Sequence, residues 1–356
     1  MDHGRRIAAL RELADLGPDQ AILVTALPNI RYLTGFAGSA GTVLVLSDGC
    51  LLLVDGRYYE AARTTAPTGV DVVKIESGRQ YQQIGELLRG TRAVLIDPAQ
   101  ITLDVHRALT EAVPHATFVE RGGLPETLRL TKDNGEIQRI RRAVDIAIAA
   151  FVDVLPDLEA GISEKEFAWR LEASMRQRGA DGPAFPFIVA SGPNSSQPHA
   201  HPTDRVIREG EPVVVDFGAL VDGYHCDITR TVWFGDLDPR VRPIYQAACA
   251  AHQRGVETAR PGVSHAEVDA SCRAAMAEHG YDSVLHPSGH SVGLSIHERP
   301  FLSPQAREPI GVGYVLTIEP GVYVPGVGGC RIEDTVVIRD DGPEILSVFP
   351  DCGTTS

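Results

Sequence analysis

A strand-like segment interrupted by Asp216 and Asp227 constrains the fold of this chain more than any other feature. The sequence VVVDFGALVDGYHCDITRT (213–231) is apolar and β-branched on both sides of Asp222-Gly223, a dipeptide that strongly predicts a two-residue hairpin turn. With that turn, Asp216 faces Thr229, and Asp227 lies on the same sheet face as Thr229. The two carboxylates are therefore expected to be diagonal neighbours whose side chains converge.

The same arrangement recurs towards the C-terminus with Glu319 and Glu333. Both glutamates lie in apolar, β-branched sequence, and the turn-rich PGVGG (325–329) separates them. Gly326 is the midpoint of the pair, so the two side chains are predicted to lie opposite each other across a second hairpin.

Four acidic side chains that converge inside a sheet require a cation. A single acid of this kind is usually explained by a salt bridge or a solvated strand face, but two matched hairpins are not. Burying two carboxylates together costs several kcal/mol unless a positive charge lies between them. The four carboxylates carry −4, which two divalent ions neutralise, whereas one ion leaves −2. The sequence therefore predicts a dinuclear metal site.

Histidines between the two hairpins complete the set of candidate site residues. His290 follows Gly289, which permits a close backbone approach, and it is the natural nitrogen ligand. His297 is better placed to donate a hydrogen bond or transfer a proton. His199 lies in a polar loop and is a candidate for substrate contact, although an isolated histidine is as often simply exposed. The weaker candidates are His201, His225 and His286.

The chain divides by pattern into two domains. Residues 1–124 alternate short apolar runs with helical patterns, which indicates an α/β domain. Strands are predicted at 21–25, 41–46, 51–54, 70–75 and 93–97, and helices at 80–89 and 102–113. Residues 125–135 are rich in turn formers and charge and are predicted to be a linker. Residues 136–356 form the second domain.

The second domain is predicted to consist of two similar halves. Each half has two helices followed by strands, and the second helix of each half begins at a capping box, at Ser163 and at Ser264. The third helix is expected to begin at Asp238-Pro239. The first helix is predicted from apolar residues at helical spacing, namely Ile137, Ile140, Val144, Ile148 and Phe151. The two halves are expected to surround one central sheet.

Composition removes several classes of protein from consideration. The net charge is −14, and no basic stripe could neutralise phosphates, so a nucleic acid is not expected as a partner. No apolar stretch approaches the roughly 20 residues of a membrane-spanning helix. The N-terminal segment has the pattern of an amphipathic helix and not of an export signal, and the six cysteines are scattered without CxxC spacing. We therefore expect a cytoplasmic protein with free thiols.

Four segments resemble the pita-bread metallopeptidases, the family that includes methionine aminopeptidase, aminopeptidase P and prolidase. They are DFGALVDGYHCDITRT (216–231), HPSGHSVGLSIHERP (286–300), TIEPGVYVPGVGG (317–329) and RIED (331–334). NIRYLTGF (29–36) and VDGRYYEAA (54–62) resemble the N-terminal domain of prolidases, aminopeptidases P and creatinases. The resemblance covers nearly the whole chain. It implies an α/β N-terminal domain followed by an α+β pita-bread catalytic domain with pseudo-twofold halves.

The resemblance also implies a role for each candidate residue. The implied metal ligands are Asp216, Asp227, His290, Glu319 and Glu333. His199 and His297 fall at positions of substrate-contacting, proton-shuttling histidines, and His286 matches a further histidine of the proline-specific branch. Glu319 also matches the residue that takes a proton from the attacking water and passes it to the leaving nitrogen.

Two positions depart from the family pattern, and one further residue is a candidate for substrate binding. Cys226 stands where a serine is usual, and Ser291 stands where a glycine is usual, but neither change removes a ligand. Arg331 lies two residues before Glu333 and by parity on the same strand face. We expect it to bind the substrate carboxylate through charge-assisted hydrogen bonds.

The resemblance implies hydrolysis of small peptides by a metal-activated water. Four oxygen ligands and one nitrogen suit harder ions, so two Mn²⁺ ions are expected, with Co²⁺ or Zn²⁺ as substitutes. The length near 350 residues and the compact first domain favour an Xaa-Pro dipeptidase (prolidase), which cleaves dipeptides with a C-terminal proline. The alternative is an Xaa-Pro aminopeptidase (aminopeptidase P), which acts on longer peptides. The family suggests a homodimer.

Three other functions fit the sequence less well. Typical methionine aminopeptidases lack the first domain. Creatinase has both domains but does not keep the metal ligands, and all five are present here. A pita-bread module that only binds peptides or histones would show eroded ligands.

Overall fold

A computed structural model describes residues 2–282 and 285–349, so Cys352 lies outside the described residues. The chain divides into two compact units, unit 1 up to Arg129 and unit 2 from Leu130. The predicted linker at 125–135 is partly helical, because Leu124–Arg129 forms a helix within unit 1. The boundary after residue 124 therefore stays a prediction.

Unit 1 is a six-stranded sheet with helices. Its strands are β1 Gln20–Val24, β2 Thr42–Leu46, β3 Cys50–Asp55, β4 Asp71–Ile75, β5 Ala93–Ile96 and β6 Thr117–Glu120. The order across the sheet is β4-β3-β2-β1-β5-β6. Strand β2 runs antiparallel to both of its neighbours, and the other pairs are parallel. The five strands predicted from the sequence correspond to β1–β5.

The described residues of unit 1 also form six helices. They are α1 His3–Ala14, α2 Leu27–Thr34, α3 Tyr59–Thr65, α4 Gln80–Leu87, α5 Leu103–Ala112 and α6 Leu124–Arg129. The core between α4, α5 and the sheet includes Ile84, Leu109 and Val94, all buried. The predicted helices at 80–89 and 102–113 are confirmed by α4 and α5, whose buried apolar side chains drive their docking.

Unit 2 contains four long helices. They are α7 Asn134–Val154, α8 Glu164–Gln177, α9 Arg242–Thr258 and α10 His265–Glu278. The five apolar residues that predicted α7 are all buried. Phe151 stacks on Phe217 with a ring separation of 4.8 Å, which joins the helix to the sheet. Helix α9 begins three residues later than expected, at Arg242 and not at Pro239, because residues 239–241 form a turn in which the Asp238 carboxylate accepts from the Arg240 N–H. No helix in the described ranges is long and apolar enough to cross a membrane.

The two predicted capping boxes differ in the structure. At Ser264 both halves of the box form, because the Ser264 hydroxyl accepts from the Glu267 N–H and the Glu267 carboxylate accepts from the Ser264 N–H. At Ser163 only the hydroxyl bond forms, since the Glu166 carboxylate turns away to pair with Arg170 at 2.8 Å. The prediction of a complete box at Ser163 was therefore wrong, although the helix begins there as expected.

The strands of unit 2 form two related sheets and smaller ribbons. They are β7 Gly182–Pro183, β8 Ile188–Ser191, β9 Val213–Phe217, β10 Ala219–Val221, β11 Tyr224–His225, β12 Ile228–Val232, β13 His290–Ser291, β14 Glu298–Phe301, β15 Val315–Ile318, β16 Gly321–Val324, β17 Gly328–Arg331, β18 Asp334–Arg339 and β19 Gly342–Ile345. The first half contributes β12-β9-β8 and the second β14-β13-β15-β18-β19. An isolated bridge between Thr229 and Glu333 joins them, which confirms one central sheet shared by two halves.

Both acidic hairpins have the predicted register. Asp222 and Gly223 have φ values of 48° and 75°, as a turn of this type requires, and Asp216 pairs with Thr229. In the second hairpin β16 pairs with β17 and β15 pairs with β18, both in the register that has Gly326 at its midpoint. Glu319 and Glu333 therefore lie opposite each other, in the interval between the two paired segments.

Candidate metal centre

The structure brings the five predicted metal ligands together where the two halves meet. Asp216 lies on β9, Asp227 directly precedes β12, and His290 begins β13. Glu319 follows β15, and Glu333 precedes β18. Each ligand therefore lies in or beside a strand of the central sheet, whose backbone pairing fixes its position.

The distances within this group suit a shared cation. His290 Nε2 lies 3.5 Å from Asp227 Oδ2 and 3.5 Å from Glu319 Oε1. Asp227, His290 and Glu333 each offer a ligand atom, and these atoms lie within 4.8 Å of one another. All three residues are buried, Glu333 with only 1% of its surface exposed.

Three carboxylate oxygens at this centre lack a protein partner. Among the described residues, Asp216 Oδ1, Asp227 Oδ1 and Glu333 Oε1 are buried and accept no hydrogen bond. Burial raises the pKa of the Asp227 and Glu333 carboxyls well above the usual range, and the neighbouring carboxylates raise both further. Burial also raises the pKa of Glu319 to about 7, although His290 and Arg331 oppose this rise. Divalent cations would satisfy these oxygens and offset the repulsion, so the residues fit such ions.

Arg331 is engaged inside the protein to a degree that the sequence did not indicate. Its Nη2 donates to Asp216 Oδ2 at 2.5 Å, its Nε donates to Thr229 Oγ1 at 3.1 Å, and its side chain is 3% exposed. Thr229 Oγ1 in turn donates to Glu333 Oε2 at 2.6 Å. A substrate carboxylate would have to compete with Asp216 for this guanidinium, because its donors are already bound.

Arg331 also changes the charge count. Its positive charge reduces the total for the four carboxylates from −4 to −3, so one divalent ion leaves −1 and two leave +1. Charge alone therefore does not distinguish one ion from two. The count made from the sequence left out Arg331, because its pairing with Asp216 could not be predicted.

Tyr323 connects Arg331 to His286 and was missed in the sequence analysis. Its hydroxyl accepts from Arg331 Nη1 at 2.7 Å and lies 2.8 Å from His286 Nε2. Since His286 Nδ1 lies 2.8 Å from the Pro287 carbonyl, which can only accept, Nδ1 carries the proton and Nε2 accepts from Tyr323. The available signal was a tyrosine inside an apolar strand, since a buried hydroxyl usually has a partner.

Four of the five predicted ligands form part of the wall of a cavity of about 420 Å³, namely Asp216, Asp227, His290 and Glu319. The lining includes the three histidines assigned to substrate or proton transfer, His199, His286 and His297, together with His201 and Arg331. The rings of His290 and His297 lie 4.5 Å apart, edge to face. Apolar residues form the remainder of the wall, namely Phe185, Pro186, Ile188, Ala200, Pro287, Ile296 and Phe301.

A buried lysine fixes the loop that carries His290 and His297. Lys132 Nζ donates to Ser291 Oγ at 2.9 Å and to Glu298 Oε2 at 3.2 Å, and the side chains of Lys132 and Glu298 are 1% and 8% exposed. The serine that departs from the family pattern therefore has a structural partner. Sequence reasoning missed Lys132 because it lies 159 residues from Ser291, and no local pattern relates the two.

Comparisons with known proteins agree with this architecture. Residues 138–340 match metallopeptidase family M24, and residues 6–131 match the creatinase/prolidase N-terminal domain. An Xaa-Pro dipeptidase of Pyrococcus furiosus is 34% identical over 344 residues, which cover 96% of this chain and 97% of that protein.

Two solved structures are similar over almost the full length of the chain. An Xaa-Pro dipeptidase from Bacillus anthracis has a TM-score of 0.93 at 35% identity and covers 98% of each chain. An X-Pro aminopeptidase from Thermotoga maritima has a TM-score of 0.88 at 32% identity, covering 96% of this chain and 98% of that one. The chain therefore belongs to metallopeptidase family M24 and is a metal-dependent peptide hydrolase with a creatinase/prolidase N-terminal domain.

Proposed function

We propose that this protein is an Xaa-Pro dipeptidase. The observation that supports this proposal most directly is the cavity of about 420 Å³, whose wall combines four of the five predicted ligands with histidines and apolar side chains. Ligand pockets span roughly 300–1,000 Å³, so this volume lies near the lower end and suits a dipeptide better than a longer peptide.

We propose that two divalent cations are held by Asp216, Asp227, His290, Glu319 and Glu333. The carboxylate of Asp227 lies beside Asp216, which contributes to its raised pKa, and 3.5 Å from His290, so it can serve two ions. A bound cation polarises the scissile carbonyl and lowers the pKa of a coordinated water. The oxygen-rich ligand set favours Mn²⁺ over softer ions, with Co²⁺ or Zn²⁺ as substitutes.

The remaining chemistry is assigned to side chains that face the cavity. Glu319 is the acceptor for the proton of the attacking water, because it lines the cavity and lies 3.9 Å from His286. His297 and His199 line the same cavity and are assigned to hold the carbonyl oxygen and to deliver a proton to the leaving nitrogen.

Selectivity for proline follows from the wall and from the substrate. An acylated proline nitrogen has no N–H, so a site that binds this group by hydrogen bonding rejects an Xaa-Pro bond. The apolar side chains Phe185, Ile188 and Phe301 provide a surface for the ring. The substrate carboxylate is assigned to Arg331, where it would compete with Asp216 and Tyr323 for the guanidinium donors.

Aminopeptidase P activity is the second candidate, since the chain is similar to both dipeptidases and X-Pro aminopeptidases. Steady-state kcat/KM with an Xaa-Pro dipeptide, an Xaa-Pro-Yaa tripeptide and an Xaa-Ala dipeptide distinguishes the two. The proposal requires the Xaa-Pro dipeptide to be the best substrate by about tenfold or more, the loss expected when a bound carboxylate is removed. Equal rates on the dipeptide and tripeptide would assign the protein to the aminopeptidases. The cytoplasmic location and the homodimer remain predictions.

A further inference from the structure

The loop that carries His199 has little regular structure of its own. A short 3₁₀ turn, Gly192–Ser196, follows β8, and residues 197–205 then lie outside strands and helices. His199 is exposed and lines the cavity. An exposed side chain on such a loop needs an anchor elsewhere if it is to occupy a fixed position at a site.

A single buried carboxylate holds both ends of this loop. Glu164, the first residue of α8, is fully buried at 0% exposure. Its Oε1 accepts from the N–H and the hydroxyl of Ser191, each at 2.7 Å, at the start of the loop. Its Oε2 accepts from the N–H of Thr203 at 3.0 Å and from the hydroxyl of Thr203 at 2.6 Å, at the end.

The donors around Glu164 require a carboxylate. The Asn194 amide donates to both oxygens, at 3.2 and 3.3 Å, and the N–H groups of Ser191 and Thr203 cannot accept a hydrogen bond. A glutamine side chain at this position would point its NH₂ group at one of these N–H groups, and two donors cannot form a hydrogen bond with each other. Arg205, which also pairs with Glu211, donates to Ser191 Oγ at 2.6 Å and so directs the Ser191 hydroxyl proton towards Glu164.

The loop also contacts the ligand group. The carbonyl of Pro198 accepts from Arg331 Nη1 at 3.2 Å, and Arg331 Nη2 holds Asp216. His199 is the next residue along the chain. The position of the loop therefore sets the position of His199 relative to a metal ligand, although Glu164 is not among the described residues that line the cavity.

We propose that Glu164 is a positioning residue for the peptidase reaction: its carboxylate closes the loop from Ser191 to Thr203 and thereby fixes His199 at the cavity. This inference rests on the proposed role of His199 in substrate contact. Displacing a contacting group by about 1 Å costs roughly 10²-fold in rate. Glu164→Gln should therefore lower kcat/KM about 10²-fold while leaving the bound metal unchanged.

Glu166→Gln is the matched control for this experiment. It removes the same charge from the same helical turn, but the Glu166 side chain is 43% exposed and, within the described part of the chain, pairs only with Arg170. Both variants are assayed by metal analysis, kcat/KM and amide hydrogen exchange followed by mass spectrometry. Glu164→Gln should accelerate exchange in peptides that cover 191–203 and lose activity, and Glu166→Gln should do neither.

A double mutant tests whether Glu164 acts through His199. If it does, Glu164→Gln combined with His199→Ala loses no more activity than His199→Ala alone, because both changes remove the same contact. The proposal would be overturned if the activity losses of the two single variants multiply in the double variant. It would also be overturned if Glu164→Gln has the same hydrogen exchange and the same activity as Glu166→Gln. Thr203→Val serves as a milder variant if Glu164→Gln does not fold, since it removes one hydroxyl bond and should cost about tenfold.

The exchange measurement separates this inference from the proposed function. A wild-type protein that does not prefer Xaa-Pro dipeptides refutes the dipeptidase assignment, and the variants are then compared on the best peptide substrate. Unchanged exchange at 191–203 in Glu164→Gln or Thr203→Val refutes the positioning role whatever the substrate is.

Discussion

The aspartate and glutamate hairpins of unit 2 differ in where their acids lie relative to a break in the strand pairing. In the aspartate hairpin, β9 pairs with β12 and β10 with β11, and Asp216 is within the paired region while Asp227 lies at the break. In the glutamate hairpin both Glu319 and Glu333 lie at the break. Each hairpin nevertheless keeps one register on both sides of its break.

The break in strand pairing of the aspartate hairpin depends on a close backbone approach that only glycine allows. A Cβ at Gly218 would lie 1.9 Å from the carbonyl oxygen of Cys226, so a larger residue would force the two strands apart. The breaks let the strands change direction while the acids stay opposite or diagonal to each other. The comparison shows that the pairing register of a hairpin can be calculated from its turn. The placement of the acids at the site also depends on where the strand pairing is interrupted.

The largest expected effect is the loss of a ligand from the glutamate hairpin. Glu333→Ala removes a buried carboxylate that has one oxygen bound to Thr229 and the other without a protein partner among the described residues. Removing a residue that hydrogen-bonds to a metal ligand typically lowers metal affinity or activity 10- to 100-fold. Removing a ligand itself should therefore lower kcat/KM more than 10²-fold. Metal analysis of the purified variant should show less bound ion than wild type.

Glu344→Ala is the control for that change, because Glu344 lies on β19 and its side chain is 39% exposed. Asp216→Ala extends the comparison to the aspartate hairpin. If the two hairpins contribute equivalent ligands, both site variants lose metal and the control does not. A Glu333→Ala protein with full metal content and normal turnover would contradict the ligand assignment.

The next largest effect concerns the buried ion pair between Lys132 and Glu298, which anchors the loop that carries His290 and His297. Lys132→Met removes one member of the buried Lys132–Glu298 ion pair, and breaking a buried pair costs about 3–5 kcal/mol. The free energy of unfolding, measured by urea titration, should fall by that amount. Arg254→Met, which breaks the exposed pair with Glu278, should change it little because solvent screens that pair. Similar losses in the two variants would show that Lys132 contributes no more than a surface charge.

A smaller effect separates the two histidines of that loop. His297→Ala should retain the bound metal and lower turnover by roughly 10²-fold, because it removes a hydrogen-bonding group at the cavity. His290→Ala should weaken metal binding directly, since its Nε2 lies 3.5 Å from two ligand carboxylates. Both variants are measured for metal content and kcat at saturating metal. The roles are reversed if the two phenotypes are exchanged.

The local features of the fold were predictable because neighbouring residues encode them. The Asp222-Gly223 turn predicted the pairing of Asp216 with Thr229, and an apolar period predicted α7. Strand β6 was missed because three of its four residues are exposed and give no apolar run. A complete capping box was predicted at Ser163, but only half of it forms because Arg170, one turn later, binds the Glu166 carboxylate.

The site was predictable as a set of converging acids but not as a network. Acids inside apolar strands indicate a buried cation from sequence alone, and the structure brings those acids together. Arg331, Tyr323 and Lys132 could not be assigned in the same way, because their partners lie on other elements of the fold. A charged residue in a sequence does not indicate whether its partner is a substrate or another side chain, and Arg331 illustrates the difference.

The smallest expected effect compares the first residues of α8 and α10. Glu164 holds its loop as a carboxylate, whereas His265, fully buried, donates from Nδ1 to the Glu308 carbonyl at 2.7 Å. Its Nε2 has no hydrogen-bond partner among the described residues, and Tyr314 packs 6.2 Å from the ring. Burial lowers the pKa of His265 below the ordinary 6.5, more than the Glu308 carbonyl and carboxylate raise it. The neutral ring therefore belongs to the folded state.

The sign of the resulting pH dependence follows from linkage. Below pH 6.5 the unfolded chain binds a proton at His265 that the folded chain does not, so the stability present above 6.5 is lost as the pH falls towards the folded pKa. The slope for one such group is at most about 1.4 kcal/mol per pH unit. His265→Asn keeps a donor for the Glu308 carbonyl but does not titrate, so its free energy of unfolding should fall less than that of wild type between pH 7 and pH 5. Taking the difference between the two proteins, both at saturating metal, removes the contribution of the other titrating groups. If the free energies of unfolding of the wild type and His265→Asn fall in parallel with pH, protonation of His265 does not contribute to the loss of stability in acid.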